Sequence, residues 1–380
     1  MDWLRRVLIS FVIFVSCISL FWMGSLHSNE APAPAKAGKP PTKPKAPPQI
    51  VLAAVGDVLL HERVYNDARI DVERFDFHPM FSIIKPYIEK ADFSFVNQES
   101  IIGGTTIGLS TYPSFNSPVE IADAIKDTGF DVVNMANNHA LDRGEQPLLA
   151  SVSYWDKLGL VRTGAYHSAE DRTRIRTISK NGITLSLLSY TYGTNGIRLP
   201  KPYLVNIINK EVLKKDVAQA KQRSDAVVVN LHFGKEYEVM PNPEQTELAQ
   251  FLSDLGVSVI FGHHPHVLQP PAFLTGANGN STFVCYSLGN FLAGQQNEET
   301  WFGGIANITV RKNNDGTIAL IHPSFLPTFT YSKNSENYMI LPLDQVTQQQ
   351  YPNAQNRYDS VVKHMKAFIP NLDIMQAKKD

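Results

Sequence analysis

Cysteine is almost missing: the 380 residues contain two, Cys17 in an N-terminal apolar run and Cys285 in an expected strand. Two thiols so placed build neither a disulfide framework nor a thiolate metal site. An excess of either charge is missing too, since 35 Lys+Arg against 36 Asp+Glu leave a formal net charge of -1. That excludes bulk electrostatic attraction to nucleic acid or to an anionic polymer and leaves only local patches for such contacts. No G-x-x-x-x-G-K loop is present to cradle phosphates, and no G-x-S-x-G turn to expose a serine nucleophile. Internal repeats are absent. Hydrophobic residues at 43% and charged residues at 19% describe an ordinary globular protein, long enough for one large core or two smaller ones.

Only one apolar run is long. Residues 7–23, VLISFVIFVSCISLFWM, follow Arg5 and Arg6 and contain no charge. The run just suffices to span a bilayer, and the arginines before it predict a cytoplasmic N-terminus with everything later outside. A cleaved signal peptide needs a small-residue site directly after the run, and Ala31, Ala33 and Ala35 come several residues too late. Lipidation of Cys17 fits poorly because the run continues past it. An uncleaved single-pass anchor over residues 1–28 in the cell membrane is the expectation. Residues 29–49, rich in Pro, Ala and Lys, predict an extended linker. A folded domain over 50–342 and a C-terminal extension over 343–380 complete the expected organisation.

From Ile50 onward apolar strands alternate with amphipathic helices. Strands are expected at Ile50–Val55, Phe93–Val96, Val132–Ala136, Ile183–Tyr190, Ala226–Leu231 and Val257–Phe261, then at Thr282–Ser287, Ile305–Arg311 and Thr317–His322. Helical spacing falls at Met80–Lys90, Pro118–Thr128, Gln146–Lys157, Lys210–Arg223, Pro243–Leu255 and Tyr358–Phe368. The alternation predicts an α/β domain, and the late strands an antiparallel edge or a second sheet.

What the chain does have is polar chemistry where strands end. Three of its eleven histidines lie in Gly262-His263-His264-Pro265-His266, after the apolar run 257–261. In open α/β sheets the carboxyl ends of strands are where ligands collect, and imidazole is the commonest ligand for zinc and its neighbours. Asp57 follows the first strand, Asn97 and Glu99 the second, and Asn137, Asn138, His139 and Asp142 the third. His232 and Glu236 follow a later one. A single Asp or Asn there is usually a helix cap, but capping needs no histidine. The mixture suits a two-metal centre of Mn, Zn or Fe, with Glu99 or Asp57 bridging and His139 placed as a general acid. His61 reads either as a ligand or as the polar start of a helix. His263 is a candidate for orienting its neighbours, and Asn290, in the turn Tyr286–Phe291, for facing the site. His27, His78, His167, His322 and His364 lack partners in the sequence.

At these residues the chain resembles the poly-γ-glutamate capsule-biosynthesis proteins of the CapA/PgsA type. The resemblance runs over about Val51 to Phe291, through AAVGDVLLH, VNQES, NMANNHALDRG, the Thr163-Gly164-Ala165 turn, the segment from LHFGKEY to FGHHPHVLQP, and YSLGNF. That family is similar to calcineurin-type metallophosphoesterases, which implies a four-layer αββα sandwich. The resemblance also implies Asp57, Glu99, Asn138, His232, His264 and His266 as ligands of one or two divalent ions, with His139 as the acid. It implies a membrane-anchored domain outside the cell, working with other membrane proteins of a polymer synthase or export complex. One departure is plain. The phosphoesterase pattern begins Asp-x-His, and here the residue two after Asp57 is Leu59, so the first ion lacks a usual ligand unless His61 replaces it. The contrasting expectations are a surface metallophosphoesterase acting on phosphorylated envelope compounds, and a binding module with a structural metal.

Overall fold

The computed structural model describes residues 46–377. The expected anchor, and the expected linker up to residue 45, lie outside the described residues. Among the described residues no helix is long and apolar enough to cross a membrane.

The chain first alternates strand and helix. Strands β1 (Gln49–Leu59), β2 (Phe93–Gln98), β3 (Val132–Asn134) and β4 (Val161–Thr163) are separated by helices α1 (Glu62–Asp67), α2 (His78–Phe81), α3 (Lys85–Ile88), α4 (Glu120–Thr128) and α5 (Glu145–Leu158). After α6 (Ala169–Thr173) come β5 (Arg176–Lys180), β6 (Ile183–Thr191), α7 (Lys210–Lys221), β7 (Ala226–His232), α8 (Pro243–Asp254) and β8 (Val259–His263). Short strands follow: β9 (Leu268–Gln269), β10 (Ala272–Thr275), β11 (Ser281–Cys285), β12 (Ser287–Leu288) and β13 (Asn290–Ala293). The chain closes with β14 (Phe302–Lys312), β15 (Ile318–Lys333), β16 (Glu336–Pro342), α9 (Ala354–Met365) and β17 (Asp373–Ile374).

Two sheets result. The first runs β16-β15-β14-β1-β2-β3-β4, with β13 beside β1 and β17 beside β15; the second runs β10-β11-β8-β7-β6-β5. Side-chain alternation sorts β1 between two layers. Ile50, Leu52 and Ala54 enter the core between the sheets, with Val228, Phe261, Phe283 and Phe325. Ala53 and Val55 turn outward to Ile121 and Ile125 of α4 and Leu148, Val152 and Trp155 of α5. The outer face of the second sheet is covered by Leu213 and Val217 of α7 and Leu248 and Leu252 of α8. Each fully buried Phe or Leu in these layers contributes about 1.5–3 kcal/mol. The layers read helix, sheet, sheet, helix: the αββα sandwich expected from the sequence.

One local departure has a physical cause, and the late strands and the C-terminal segment take the following places. The helix expected over Met80–Lys90 is two four-residue helices, because Pro79 and Pro86 each sit in a first turn and restart rather than continue a helix. The late strands divide between the sheets, β14–β16 forming the antiparallel edge of the first while β11 pairs parallel with β8 in the second. Beyond Pro342 the chain still packs: Val361, Met365 and Leu372 join the inter-sheet core, and β17 pairs with β15.

The first strand also runs past Asp57 instead of ending before it. At that point β1 leaves β14 and pairs parallel with β13 in the register Asp57 to Asn290. Gly56 permits the close approach, since a Cβ there would lie 1.8 Å from the Gly289 carbonyl oxygen. The Asp57 amide then donates to that same carbonyl at 2.9 Å.

Candidate metal centre

Parallel register aligns the ends of β1, β2 and β3 in the first sheet and those of β7 and β8 in the second, and the two edges meet where His232 approaches Glu99 and Asn138. Asp57 comes from the β1 bulge, Glu99 from the residue after β2, Asn138 and His139 from the loop after β3, His232 from the end of β7, and His264 and His266 from the turn after β8. His264 and His266 both adopt positive φ, 98° and 59°. Non-glycine residues seldom hold that conformation, and two in one turn is strain of the sort that collects at functional sites. Pro265 between them fixes its own φ and helps to hold the turn.

Asp57 and Glu99 are both 0% exposed. Burying carboxylates costs several kcal/mol each unless cations or donors compensate. For Asp57 the compensation is visible. Asn97 Nδ2 donates to Oδ1 at 2.7 Å, the His264 amide donates to Oδ2 at 3.3 Å, and His266 Nδ1 lies 3.2 Å from Oδ2. Asn97 is itself held by Asn134, whose Nδ2 donates to its Oδ1 at 2.7 Å. Glu99 has no such support, and neither of its oxygens has a hydrogen-bond partner. Its Oε1 stands 3.4 Å from His232 Nε2 and 3.7 Å from His266 Nε2.

The candidate ligand atoms form three groups, each drawn together within 4.8 Å: Asp57–Glu99–His266, Glu99–His232–His264, and Glu236–His264–His266. Glu99 belongs to both fully buried groups, the position of a bridging carboxylate between two cations. The remaining nitrogens fit the same picture. His266 Nδ1 is shared between Asp57 and Asn290 Oδ1, 3.0 Å away, which leaves Nε2 toward Glu99. His264 Nδ1 has no partner. His232 Nε2 and Asn138 Oδ1, two atoms suited to a metal, instead lie 2.8 Å from each other. Orphaned buried donors, oxygen and imidazole chemistry, and outer hydrogen bonds that fix the rings together fit one or two divalent first-row ions.

Electrostatics point the same way. Burial raises Asp57, but the hydrogen bond and charge of His266, with His263 and His232, outweigh it and hold the carboxyl well below its usual range. Burial lifts Glu99 to about 8, reinforced by Asp57 against the opposing pull of His266. Burial opposes protonation of His266, yet Glu99 and Asp57 together raise it to about 9. Burial, with the neighbouring histidines, drops His232 to about 3 and His264 to about 2. Without a cation the cluster holds protons at Glu99 and His266, where positive charge is wanted.

His139 stands beside this cluster and opens on a cleft of about 330 Å³, which His266, Glu236, Tyr237 and Tyr112 also line. Its Nδ1 is 2.7 Å from Asp142 Oδ2, so Nε2 is the nitrogen left for proton transfer. Asp142 is fixed in turn by the Phe115 amide at 2.7 Å, and the His139 amide donates to Asn137 Oδ1 at 3.1 Å. Asn137 Nδ2 reaches back to the Gln98 carbonyl at 2.8 Å.

Other sequence candidates fall differently. His61 sits at the start of α1, in none of the three groups, and its Nδ1 accepts from the Gly294 amide at 3.2 Å. Leu59, at the position of the missing ligand, packs with Phe115 and Ala293. The Phe115 ring stands 5.2 Å from His61 and 4.7 Å from His139, so an aromatic patch occupies that side of the site. His263 faces Asp57, its Nδ1 3.6 Å from Oδ1, and neither ring nitrogen has a hydrogen-bond partner. Glu236, read as an outer residue, stands within a possible ligand group.

Sequence reasoning passed over Asn134, Tyr192 and Asn195. The Tyr192 ring lies 4.6 Å from His264 and 6.4 Å from His232, while Asn195 Oδ1 accepts from Asn138 Nδ2 at 3.2 Å. Tyr192 and Asn195 follow β6, whose end carries no His, Asp or Glu to signal a site. Asn134 was signalled by a lone amide in an apolar strand.

Known proteins resemble the chain as follows. The PGA biosynthesis protein CapA of Bacillus subtilis is 28% identical over 316 residues, covering 80% of this chain and 76% of that protein. The capsule biosynthesis protein CapA of Bacillus anthracis is 28% identical over 293 residues, covering 74% and 69%. Among solved structures, the Haemophilus influenzae NAD nucleotidase matches at a TM-score of 0.46 and 11% identity, over 87% of this chain and 58% of that one. The model of the bacterial capsule synthesis protein family, PGA_cap, matches residues 51–295. That span holds every side chain of the cluster just described, and the chain belongs to this family.

Proposed function

We propose that the chain is a membrane-anchored, extracytoplasmic component of the synthesis or export of a poly-γ-glutamate-type capsule polymer, with one or two divalent ions (Mn, Zn or Fe) at its strand-end cluster. The observation that carries the metal is Glu99, a buried carboxylate without a hydrogen-bond partner, common to two buried ligand groups. Family membership carries the polymer. Asp57, Glu99, Asn138, His232, His264 and His266 are the proposed ligands, with Asn97 and Asn290 holding Asp57 and His266 in place. A bound ion supplies Lewis-acid polarisation of a carbonyl or phosphoryl oxygen and acidifies a water. His139 Nε2, aligned through Asp142, gives a proton to the leaving group. The chain has no ATP-binding motif, so other membrane proteins of the complex activate the monomer.

Two experiments test this reading. Deletion of the chromosomal copy abolishes extracellular polymer, and His139→Ala lowers it severely if proton transfer is required. Lost polymer in the deletion with normal polymer in His139→Ala restricts the protein to an assembly role. Normal polymer in both strains, with phosphodiester hydrolysis by the purified protein, replaces the reading with a surface metallophosphoesterase acting on phosphorylated envelope compounds; the aligned His139–Asp142 pair favours that as the second reading. For the anchor, motivated by Arg5 and Arg6 before the run 7–23, protease added to intact protoplasts removes the domain. A protected domain, or one released into the medium with a new N-terminus near Ala35, rejects it.

A further inference from the structure

The cleft at the metal cluster does not end there. It adjoins a larger one of about 770 Å³ and a third of about 450 Å³, and Arg63 and Gln296 line all three. Arg63 is the only Arg or Lys in any of these linings. It projects from α1, half-buried, with its stem against the seam at Gly294: a Cβ there would meet Arg63 Cγ at 2.8 Å and His61 Cβ at 2.8 Å. A side chain at residue 294 would push the arginine away, so the glycine keeps it beside the cleft.

A guanidinium in a cleft usually has a carboxylate partner. Among the described residues Arg63 has none, whereas Arg162, Arg172, Arg176 and Arg357 each form an ion pair. Its hydrogen-bonding neighbour is neutral. Gln296, its amide turned with the oxygen toward the guanidinium, accepts from Nη1 at 2.8 Å and Nη2 at 3.1 Å. That contact orients the fork without neutralising it. Carboxylates line each cleft, Glu298 the larger one, where the Tyr351 hydroxyl engages it, Glu236 the first and Glu62 the third, and among the described residues none forms an ion pair with Arg63. The rest of the larger cleft's lining is rich in neutral donors and acceptors, among them Gln295, Ser332 and Asn353, with Trp301 and Tyr351 as flat walls. An aligned, unneutralised guanidinium between a metal cluster and an amide-lined cleft is suited to a ligand that carries a separate anionic group along a polar chain.

We propose that Arg63 is the anion anchor of an extended ligand whose reacting or bound group lies at the metal cluster, and that the 770 Å³ cleft holds the chain beyond that anchor. This deepens, and rests on, the polymer reading above: the anchored group is then a side carboxylate of the polymer. A phosphate of an envelope compound presents the same chemistry, and the test separates the two.

The full-length, metal-loaded chain is titrated calorimetrically with a short γ-linked glutamate oligomer and, separately, with a glycerol phosphate diester. Arg63→Gln is expected to weaken oligomer binding roughly 10- to 100-fold, the effect of losing a charge-assisted hydrogen bond. Arg63→Lys recovers part of the loss, since a point charge replaces the fork. Metal content, read by elemental analysis, stays at the wild-type value in both variants, which separates this proposal from the metal reading. Oligomer binding that Arg63→Gln leaves intact overturns the anchor while the polymer reading stands. Diester binding alone, lost in Arg63→Gln, keeps the anchor and removes the polymer. A wild-type protein that takes up metal and binds neither probe overturns the anchor.

Discussion

Replacing His264 and His266 together with alanine is expected to empty the centre. The two rings contribute to all three ligand groups: His266 to the one with Asp57 and Glu99, His264 to the one with His232, and both to the one with Glu236. No group keeps three members once both are gone. Loss of an outer hydrogen-bond partner already costs 10–100-fold in metal affinity, and removal of two direct donors costs more, so the purified variant carries no stoichiometric Mn, Zn or Fe by elemental analysis. The fold survives by the same reasoning. Both histidines follow β8, and neither belongs to the apolar layers that join the sheets. The two histidines already carry the positive-φ strain, so alanine adds little there. Losing the His266 contact to buried Asp57 costs about 3–5 kcal/mol and lowers Tm, while the circular dichroism spectrum at room temperature stays native. His322→Ala is the control, an exposed residue of β15 outside every ligand group. Wild-type protein that stays empty after incubation with Mn and Zn, or a double variant that keeps its metal, rejects the ligand assignment.

The convergence of those side chains was legible in part. Once apolar runs alternate with amphipathic helices, the polar residues after the parallel strands of one sheet share one edge, but that the edges of two sheets meet is set by how the sheets pack. That rule placed Asp57, Asn97, Glu99, Asn138, His232, Glu236, His264 and His266 at strand ends, and the family resemblance singled out Asp57, Glu99, Asn138, His232, His264 and His266 among them. What failed to show was anything set by side-chain packing or local register. His61, four residues after Asp57, starts α1, and its Nδ1 lies 3.2 Å from both the Gly294 amide and the Leu59 carbonyl, contacts that no pattern encodes. Asp57 seemed to follow its strand because a strand bulge cannot be read from a hydrophobic pattern. Nothing in the sequence singles out Arg63. Its importance depends on cleft walls contributed by residues more than two hundred positions later, and no spacing encodes that.

Metal-free protein is expected to lose stability as pH rises from about 7.5 to 9, and metal to restore it most at the alkaline end. The sign follows from the two groups that gain protons on folding. His266 goes from an ordinary 6.5 to about 9, and Glu99 from 4.5 to about 8. In this window the native state therefore binds more protons than the unfolded state, and stability falls with rising pH. The His266 contribution is complete below 6.5 and gone above about 9. The Glu99 penalty is absent below 4.5 and complete above about 8. His61, His232, His263 and His264, lowered to about 4, 3, 4 and 2, are neutral in the native state but titrate near 6.5 in the unfolded chain, so they oppose the fall up to about pH 7.5 and add nothing above it. A divalent ion needs Glu99 and His266 deprotonated, so it competes with these protons and its apparent affinity rises about tenfold per pH unit for each proton displaced. That rise levels off near pH 9, where His266 is free. Thermal unfolding with and without a chelator across this range reads both effects. The Tm of chelated protein drops with pH, that of metal-loaded protein drops less, and the gap between them widens. Titration in buffers of different ionisation enthalpy shows protons released as metal binds. A gap that stays constant with pH, together with no proton release, would mean that Glu99 and His266 do not hold the ion.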